Sequence, residues 1–507
     1  MTGRAGLASV CVLVACVASR PAAAEGSPPP DVAETPATAP PRAWTFVPSV
    51  GVTENFSDNV FLAPRDRQSG FYTTWVPGLA IRGNTRRLQL GADWAVERLM
   101  FADEPSLDRT TQQLHGNLGA TILDEHLFVD AYGAMYPSLI NGAGRLGNLS
   151  RNVRSARASM FGGDANRTDV TAWGVTPRWR QDFGSIATFT ASSTFSDTST
   201  DTAGRLGAGA GREWRARLET GRNFQRWHWG IGFERRETDH DNSGQTSTFE
   251  RLLLDTRFDL TRKLALTGAV GLEDNQFVSS FRQRNGVTWQ IGFDYEPTPR
   301  TSLIASVGER SFGETKAFAL RHRLRSLVLS ARYDEDLRTT SELLRARAVL
   351  PRTDAFGEPL PVDPTGNLDG GVPIDQLSLV DDVFVNRVFS AGIGYQRRRD
   401  QVSVNVYRVV QGATRSQRDE TAVGTGVLWR HQLGRHLSGG LQLDYQTREA
   451  GNARVTTDFT SVSPFLQWQL GPSTQLRLNY SWMESASSRE ADSFRENALM
   501  LGLSFAF

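Results

Sequence analysis

From about residue 43 to the C-terminus the chain alternates apolar and polar positions with a period of two, in stretches broken by turn-forming residues. Val287, Trp289, Ile291, Phe293 and Tyr295 alternate with Thr288, Gln290, Gly292 and Asp294. Leu476, Leu478, Tyr480 and Trp482 alternate with Gln475, Arg477, Asn479 and Ser481, and Leu437, Gly439, Leu441, Leu443 and Tyr445 with Ser438, Gly440, Gln442, Asp444 and Gln446. Leu88, Leu90, Ala92, Trp94 and Val96 form a further face of this kind. The final stretch, ENALMLGLSFAF, puts Leu499, Leu501, Leu503, Phe505 and Phe507 on one face and Met500, Gly502, Ser504 and Ala506 on the other. Strands with one apolar and one small or polar face separate two environments. In a soluble sandwich the apolar face would meet a protein core; in an outer-membrane barrel it would meet lipid.

The connections favour the barrel, because membrane barrels have short periplasmic turns and longer extracellular loops. Short turns are expected at 83–86, 124–126, 182–185, 222–226, 261–263, 297–300, 397–400, 434–436 and 471–473, with longer polar loops between them, the largest at 137–169 and 351–382. Counting hairpins predicts a transmembrane antiparallel all-β barrel of about 22 strands, within a range of roughly 18 to 24. Both chain ends then lie on the periplasmic side, which requires an even strand count. Residues 321–350 fit the pattern least well: ARYDEDLRTTSELLRARAVL reads either as two strands and a turn or as strand followed by a short helix at Ser341 to Leu350. Tryptophans near strand ends, such as Trp44, Trp75, Trp173, Trp179, Trp227, Trp289, Trp429, Trp468 and Trp482, suit girdles at two membrane interfaces better than a soluble core.

The N-terminus changes the picture by adding an address. Residues 1–24 have a basic start at Arg4, a short apolar run and a small-residue exit at Ala22 to Ala24, which is an export signal. A competing reading is lipidation at Cys16, since Leu13-Val14-Ala15-Cys16 resembles a lipoprotein cleavage box. Residues 25–42 are rich in Pro, Ala and Glu and read as an extended linker, leaving 43–507 for the barrel. Both cysteines, Cys11 and Cys16, fall inside the signal, so no disulfide, redox or Cys-zinc chemistry is expected. Losing Arg4 and Arg20 with the signal moves the formal net charge from +1 to −1, which argues against a basic nucleic-acid binder. Hydrophobic content is 39%. No stretch after the signal approaches the ~18 apolar residues of a membrane helix, whereas a barrel needs apolar side chains at only half its strand positions.

The faces opposite the apolar ones carry charge of both signs: Arg178 and Arg180; Glu213, Arg215, Arg217 and Glu219; Arg251, Asp255, Arg257 and Asp259; Arg321, Arg323 and Arg325; and Arg477. These are the candidate lumen-lining residues. They either line a hydrated path or form salt-bridge ladders that stiffen the wall. A barrel of about 22 strands spaced ~4.8 Å apart and tilted ~40° is roughly 44 Å across, leaving about 20 to 25 Å of lumen unless a loop plugs it. No catalytic residues, metal ligands or cofactors are expected. GAGRLG at 142–147 matches a dinucleotide pattern but no helix of a βαβ unit follows it. The seven histidines lack metal-ligand spacing, Asp381 and Asp382 sit in a loop signal, and there is no GxSxG elbow.

The segment from Trp44 to Phe101 resembles a family of predicted proteobacterial outer-membrane β-barrels associated with exosortase (PEP-CTERM) and exopolysaccharide biosynthesis loci. The resemblance rests on Pro48 and Val50 in the first strand, the T-x-x-F-S-D-N-V core at Thr53 to Val60, Trp75-Val76-Pro77-Gly78-Leu79, and the hairpin exit at Arg86 to Leu88. It extends more diffusely through TPRWRQDFGS, YDEDLRTTSELL and VSPFLQWQLGPST. The resemblance implies no catalytic residues; it implies a setting in envelope polysaccharide production and export. The expectation is a non-enzymatic channel or component in exopolysaccharide export in a Gram-negative outer membrane. A general diffusion porin and a plugged structural or surface-anchoring barrel are the alternatives. Expected partners are outer-membrane lipid and lipopolysaccharide, a polysaccharide chain, periplasmic export proteins, and the barrel-assembly machinery, to which Leu503, Phe505 and Phe507 would present the C-terminal signal.

Overall fold

The computed structural model describes residues 44–139, 167–201, 206–277, 285–348, 382–414, 419–450 and 455–507. The expected signal and linker, GAGRLG and most of the two longest loops lie outside the described residues. The described chain forms one closed antiparallel barrel of 22 strands. In order these are β1 (Trp44–Ser57), β2 (Gly70–Asn84), β3 (Leu88–Phe101), β4 (Arg109–Leu123), β5 (Leu127–Leu139) and β6 (Arg167–Phe183). Next come β7 (Ala187–Thr200), β8 (Gly209–Thr220), β9 (Trp227–His240), β10 (Thr246–Asp259), β11 (Leu264–Gln276) and β12 (Asn285–Thr298). They are followed by β13 (Thr301–Arg310), β14 (Gly313–Arg323), β15 (Leu327–Thr339), the helix α1 (Thr340–Ala348) and β16 (Val383–Arg397). The last are β17 (Asp400–Ala413), β18 (Asp419–Gln432), β19 (Leu437–Ala450), β20 (Val455–Gly471), β21 (Thr474–Ser487) and β22 (Phe494–Ala506). Each strand pairs with its sequence neighbours, and β1 closes the ring on β22 from Ser49↔Ala506 to Ser57↔Ala498. Ten turns of two to six residues share one end with both chain termini; that is the periplasmic end. Nine match the expected turns, and the tenth is Leu324–Ser326.

Alternation around this ring assigns every face. The register carries the outward face from Leu499, Leu501 and Leu503 of β22 to Val52 and Phe56 of β1 and on to Trp75 and Phe71 of β2. Followed round, it places all twelve tryptophans outside, Trp289 against Val270 and Trp429 against Leu441 among them. Leu252, Leu254, Leu266, Val270, Leu272, Val287 and Ile291 make a continuous exposed apolar patch at mid-height. So large an apolar surface is stable only against lipid. The protein is an outer-membrane barrel. Phe507, 76% exposed, ends the outward row, and its N–H donates to the carbonyl of Pro48 at 2.9 Å.

Three outward prolines, Pro77, Pro177 and Pro464, each interrupt the ladder to one neighbour while the ladder on their other side continues. Proline has no N–H to give, so a strand can hold one only where a rung is dispensed with.

At one place the wall departs from the regular pattern. β13 and β14 stay paired up to Arg310↔Gly313, and β15 and β16 up to Thr339↔Val383, yet β14 pairs with β15 only between Phe318–Arg323 and Val328–Tyr333. The wall parts between β14 and β15: the extracellular end of β15 turns inside the barrel together with the end of β16, which stays paired with β17 up to Phe384↔Ala413. Alternation would put Glu335, Leu337, Val383 and Val385 in lipid, but Glu335 is 0% and Leu337 1% exposed. Leu337, Val383 and Val385 instead pack with Phe249 and Phe277 from the inner side of the opposite wall. Burying such side chains contributes about 1.5–3 kcal/mol each as an upper bound, which offsets the lost β14–β15 rungs.

α1 continues from this tucked tip. Its first turn is a capping box: Glu342 N–H donates to Thr339 Oγ1 at 3.2 Å, and Thr339 N–H donates to Glu342 Oε2 at 2.8 Å. The helix alternative is therefore the one the chain adopts, over Thr340–Ala348, with 349 and 350 outside the described residues. Leu344 is fully buried among the inward-facing Ala134, Tyr136, Val170 and Ala172 of β5 and β6, and Tyr136 Oη donates to its carbonyl at 2.7 Å. The loop after β1 also folds inward. Val60 packs on Tyr72, Leu99 and Phe101, and Leu62 on Phe459, Met483, Phe494 and Met500.

Candidate functional site: the barrel interior

The two tucked segments make the interior asymmetric from end to end. In the extracellular half the inward side chains are buried all round the ring: Thr53, Glu97, Thr198, Thr238, Glu273, Ser461, Met483 and Glu496. In the periplasmic half the inward Asp130, Arg178, Arg180, Arg321 and Arg323 are exposed. Among the described residues, the interior is a charged vestibule whose inward side chains are exposed toward the periplasmic end and buried toward the extracellular end.

The candidate residues of β6, β8 and β10 face inward as alternation requires, and most are paired. Arg217 of β8 reaches across β9 to Asp255 of β10, donating from Nη1 to Oδ1 at 2.7 Å and from Nη2 to Oδ2 at 2.9 Å. It spans the intervening strand because Gly230 stands beneath it; a Cβ there would lie 2.5 Å from Nη2. Arg217 also meets Glu219 at 3.2 Å, Arg257 pairs with Asp259 at 2.9 Å and with Asp294 of β12, and Arg215 pairs with Glu213 and, at 3.3 Å, with Glu234 of β9. Arg178 stacks over Phe128 and lies 3.5 Å from Asp130, and Arg180 pairs with Asp182. Here the ladder reading of these charges holds: guanidinium and carboxylate alternate across strands and fix one another. Asp255→Ala is expected to cost about 1–3 kcal/mol, because Arg217 loses a bidentate, charge-assisted partner at a half-buried site. The check is the urea midpoint of the folded barrel followed by tryptophan fluorescence.

Two candidates stand elsewhere than expected. Arg325 is not on a strand; it sits in the periplasmic turn Leu324–Ser326, where Leu324 N–H donates to the Leu327 carbonyl at 2.7 Å and reverses the chain. The alternating arginines of RHRLR continue the strand pattern past its end, since a charged turn residue and a charged lumen residue look alike in sequence. Arg477 does face inward on β21, but it is 4% exposed and stacks 4.9 Å over Phe465, so it packs in the wall and lines no water.

A cluster that alternation did not single out lies under the tucked tip. Arg310 of β13 meets Glu273 of β11 at 2.6 Å and Asp336 of β15 at 3.4 Å, and Arg236 of β9 meets Glu342 of α1 at 3.0 Å. These pairs tie β15 and α1 to the β9–β13 wall and border a cavity of about 320 Å³ that Tyr132, Arg251 and Arg345 also line. The signals were present as Thr339-x-x-Glu342 and as acids in DEDLRTTSE. Nothing local says that a strand leaves its wall. Among the described residues no group of three or more His, Cys, Asp or Glu could hold a metal ion.

No protein-family model and no curated protein matches the chain in sequence. Solved structures match its shape. Two substituted forms of the ferric enterobactin receptor PfeA of Pseudomonas aeruginosa superpose with TM-scores of 0.51 and 0.50, at 10% and 11% identity, over 91% of this chain and 80% of theirs. The ferric-catecholate import receptor Fiu of Escherichia coli K12 gives 0.48 at 9% identity, over 90% of this chain and 81% of its own. At such identities the likeness is one of fold, a barrel of the outer-membrane kind.

Proposed function

We propose that this barrel conducts a polysaccharide chain outward across the outer membrane, as a channel component of an exopolysaccharide export path in an exosortase (PEP-CTERM) setting. One observation carries the reading: among the described residues the inward charged side chains are exposed toward the periplasm and the inward side chains are buried toward the outside, the arrangement expected of a channel loaded from within. A chain entering there passes side chains already satisfied by one another, such as Arg217 with Asp255 and Arg257 with Asp259. Paired groups offer hydroxyls many weak contacts and no deep well, and conduction needs sites that are easy to leave. Exit then requires the tip of β15–β16, with α1, to swing away from the β9–β13 wall. The test is a strain lacking the protein, with a complemented control. Loss of surface polymer with accumulation in the periplasm is expected; unchanged surface polymer would remove the export reading.

A second reading is uptake of a ligand from outside. It is favoured by the cavity beneath α1 and by the fold shared with the structures named ferric enterobactin receptor. It predicts a growth defect of the same strain under iron limitation, with surface polymer intact.

A further inference from the structure

The ten periplasmic turns carry eleven arginines and lysines against two carboxylates, Asp124 and Glu125, although the whole chain is close to neutral. Turns of this length need only small or polar residues, so the excess of guanidinium groups is not a requirement of the fold. Six consecutive turns, from β8–β9 to β18–β19, each carry at least one base, and in the middle of this arc Arg300, Arg325, Arg398 and Arg399 stand on consecutive hairpins. Their side chains are exposed and, among the described residues, have no ion pair or hydrogen bond. The acids nearby are few: Glu296, and Asp400, which is held on the outer side by His431 at 2.7 Å and Trp429 at 3.3 Å. The arc does not stop at the rim. Arg323 and Arg321, the last inward positions of β14, carry it onto the vestibule wall, where Arg321 faces Ser302 and Ser330 across its two ladders.

We infer that this arc receives a polyanionic chain, and that the polymer is an acidic polysaccharide bearing a carboxylate on its repeating sugars. The inference rests on the export reading and adds the class of polymer. Rows of like charge about 10 Å apart, two strand spacings, are only partly screened at physiological salt, so they build a local positive field that concentrates a polyanion at the mouth. Phospholipid headgroups could meet the turn arginines from outside, but they cannot reach Arg321 and Arg323 within the barrel. A chain threading the mouth meets the rim first and these two next.

The experiment uses the barrel in nanodiscs of zwitterionic phosphatidylcholine and fluorescent oligomers of polyguluronate or, matched in size, neutral dextran. Polyguluronate is expected to bind at least about tenfold more tightly than dextran, and to weaken steeply between about 50 and 200 mM salt as counterions compete. Arg321→Gln with Arg323→Gln, both exposed, is expected to weaken polyguluronate by about fivefold or more while leaving dextran, and the heat-modifiable migration of the folded barrel, unchanged. Equal affinity for the two oligomers overturns the inference. So does indifference of the Arg321/Arg323 variant combined with selective retention of phosphatidylglycerol on purification, which would assign the ring to lipid headgroups. The two proposals fail separately. Lost surface polymer in the deletion strain with no preference for polyguluronate leaves export standing and removes the acidic class. Tight polyguluronate binding with normal surface polymer leaves the basic arc as a polyanion site and removes export.

Discussion

In planar bilayers, a variant carrying Leu344→Ser and Glu342→Ala is expected to pass at least about tenfold more current than the wild-type barrel, where α1 packs across the extracellular half of the interior. Both substitutions act on α1. Leu344 is fully buried against β5 and β6, and replacing it with a polar residue of smaller volume leaves a cavity and an unmatched hydroxyl. Glu342 is held twice, by the capping box and by Arg236 at 3.0 Å. If the pair together cost about 3 kcal/mol in the closed arrangement, the ratio of closed to open shifts by roughly a hundredfold. The β-barrel itself does not depend on either residue, so the variant should migrate as a folded, heat-modifiable species. A folded variant with unchanged conductance would mean that α1 is not what closes the mouth.

The second large effect concerns lipid. Val270 lies at the centre of β11 on the outward face, between Leu254 and Trp289, whereas its neighbour Ala269 faces inward beside Asp255 and Gln290. Val270→Arg should destabilise the barrel by about 2–4 kcal/mol, the cost of an arginine at the bilayer midplane. Ala269→Arg, one residue away, enters a polar interior with a carboxylate opposite and should fold with little change. Urea unfolding in lipid vesicles reads both. Equal losses at the two positions would contradict the assignment of faces on which the whole barrel depends.

The two effects differ in how far the sequence foretells them. The faces of β11 follow from counting by two, because each side chain alternates regardless of what lies beyond the strand. The same rule located the inward rows of β6, β8, β10 and β14, and turn-forming residues located nine of the ten periplasmic turns. It failed in two ways. At RHRLR it ran past the strand end and took Arg325 for a wall residue. At Glu335, Leu337 and Val385 parity alone points to lipid, and the chain instead folds that face into the protein.

What the sequence determined by itself is whatever is local and repeated: strand period, turn position and outward tryptophans. Those signals depend on neighbours a few residues away, and each is stated many times over along the chain. What only the tertiary structure decided is non-local and occurs once. Arg217 reaches Asp255 because Gly230 is empty between them, and β15 leaves β14 because Phe249, Phe277 and Arg310 offer its tip better contacts inside the barrel than β14 offers in the wall. Nine strands, β6 to β14, lie between β15 and the β5 residues that help bury Leu344. No window of sequence holds both, and the choice between wall and interior is a difference of burial and pairing energies that exists only once the ring has closed.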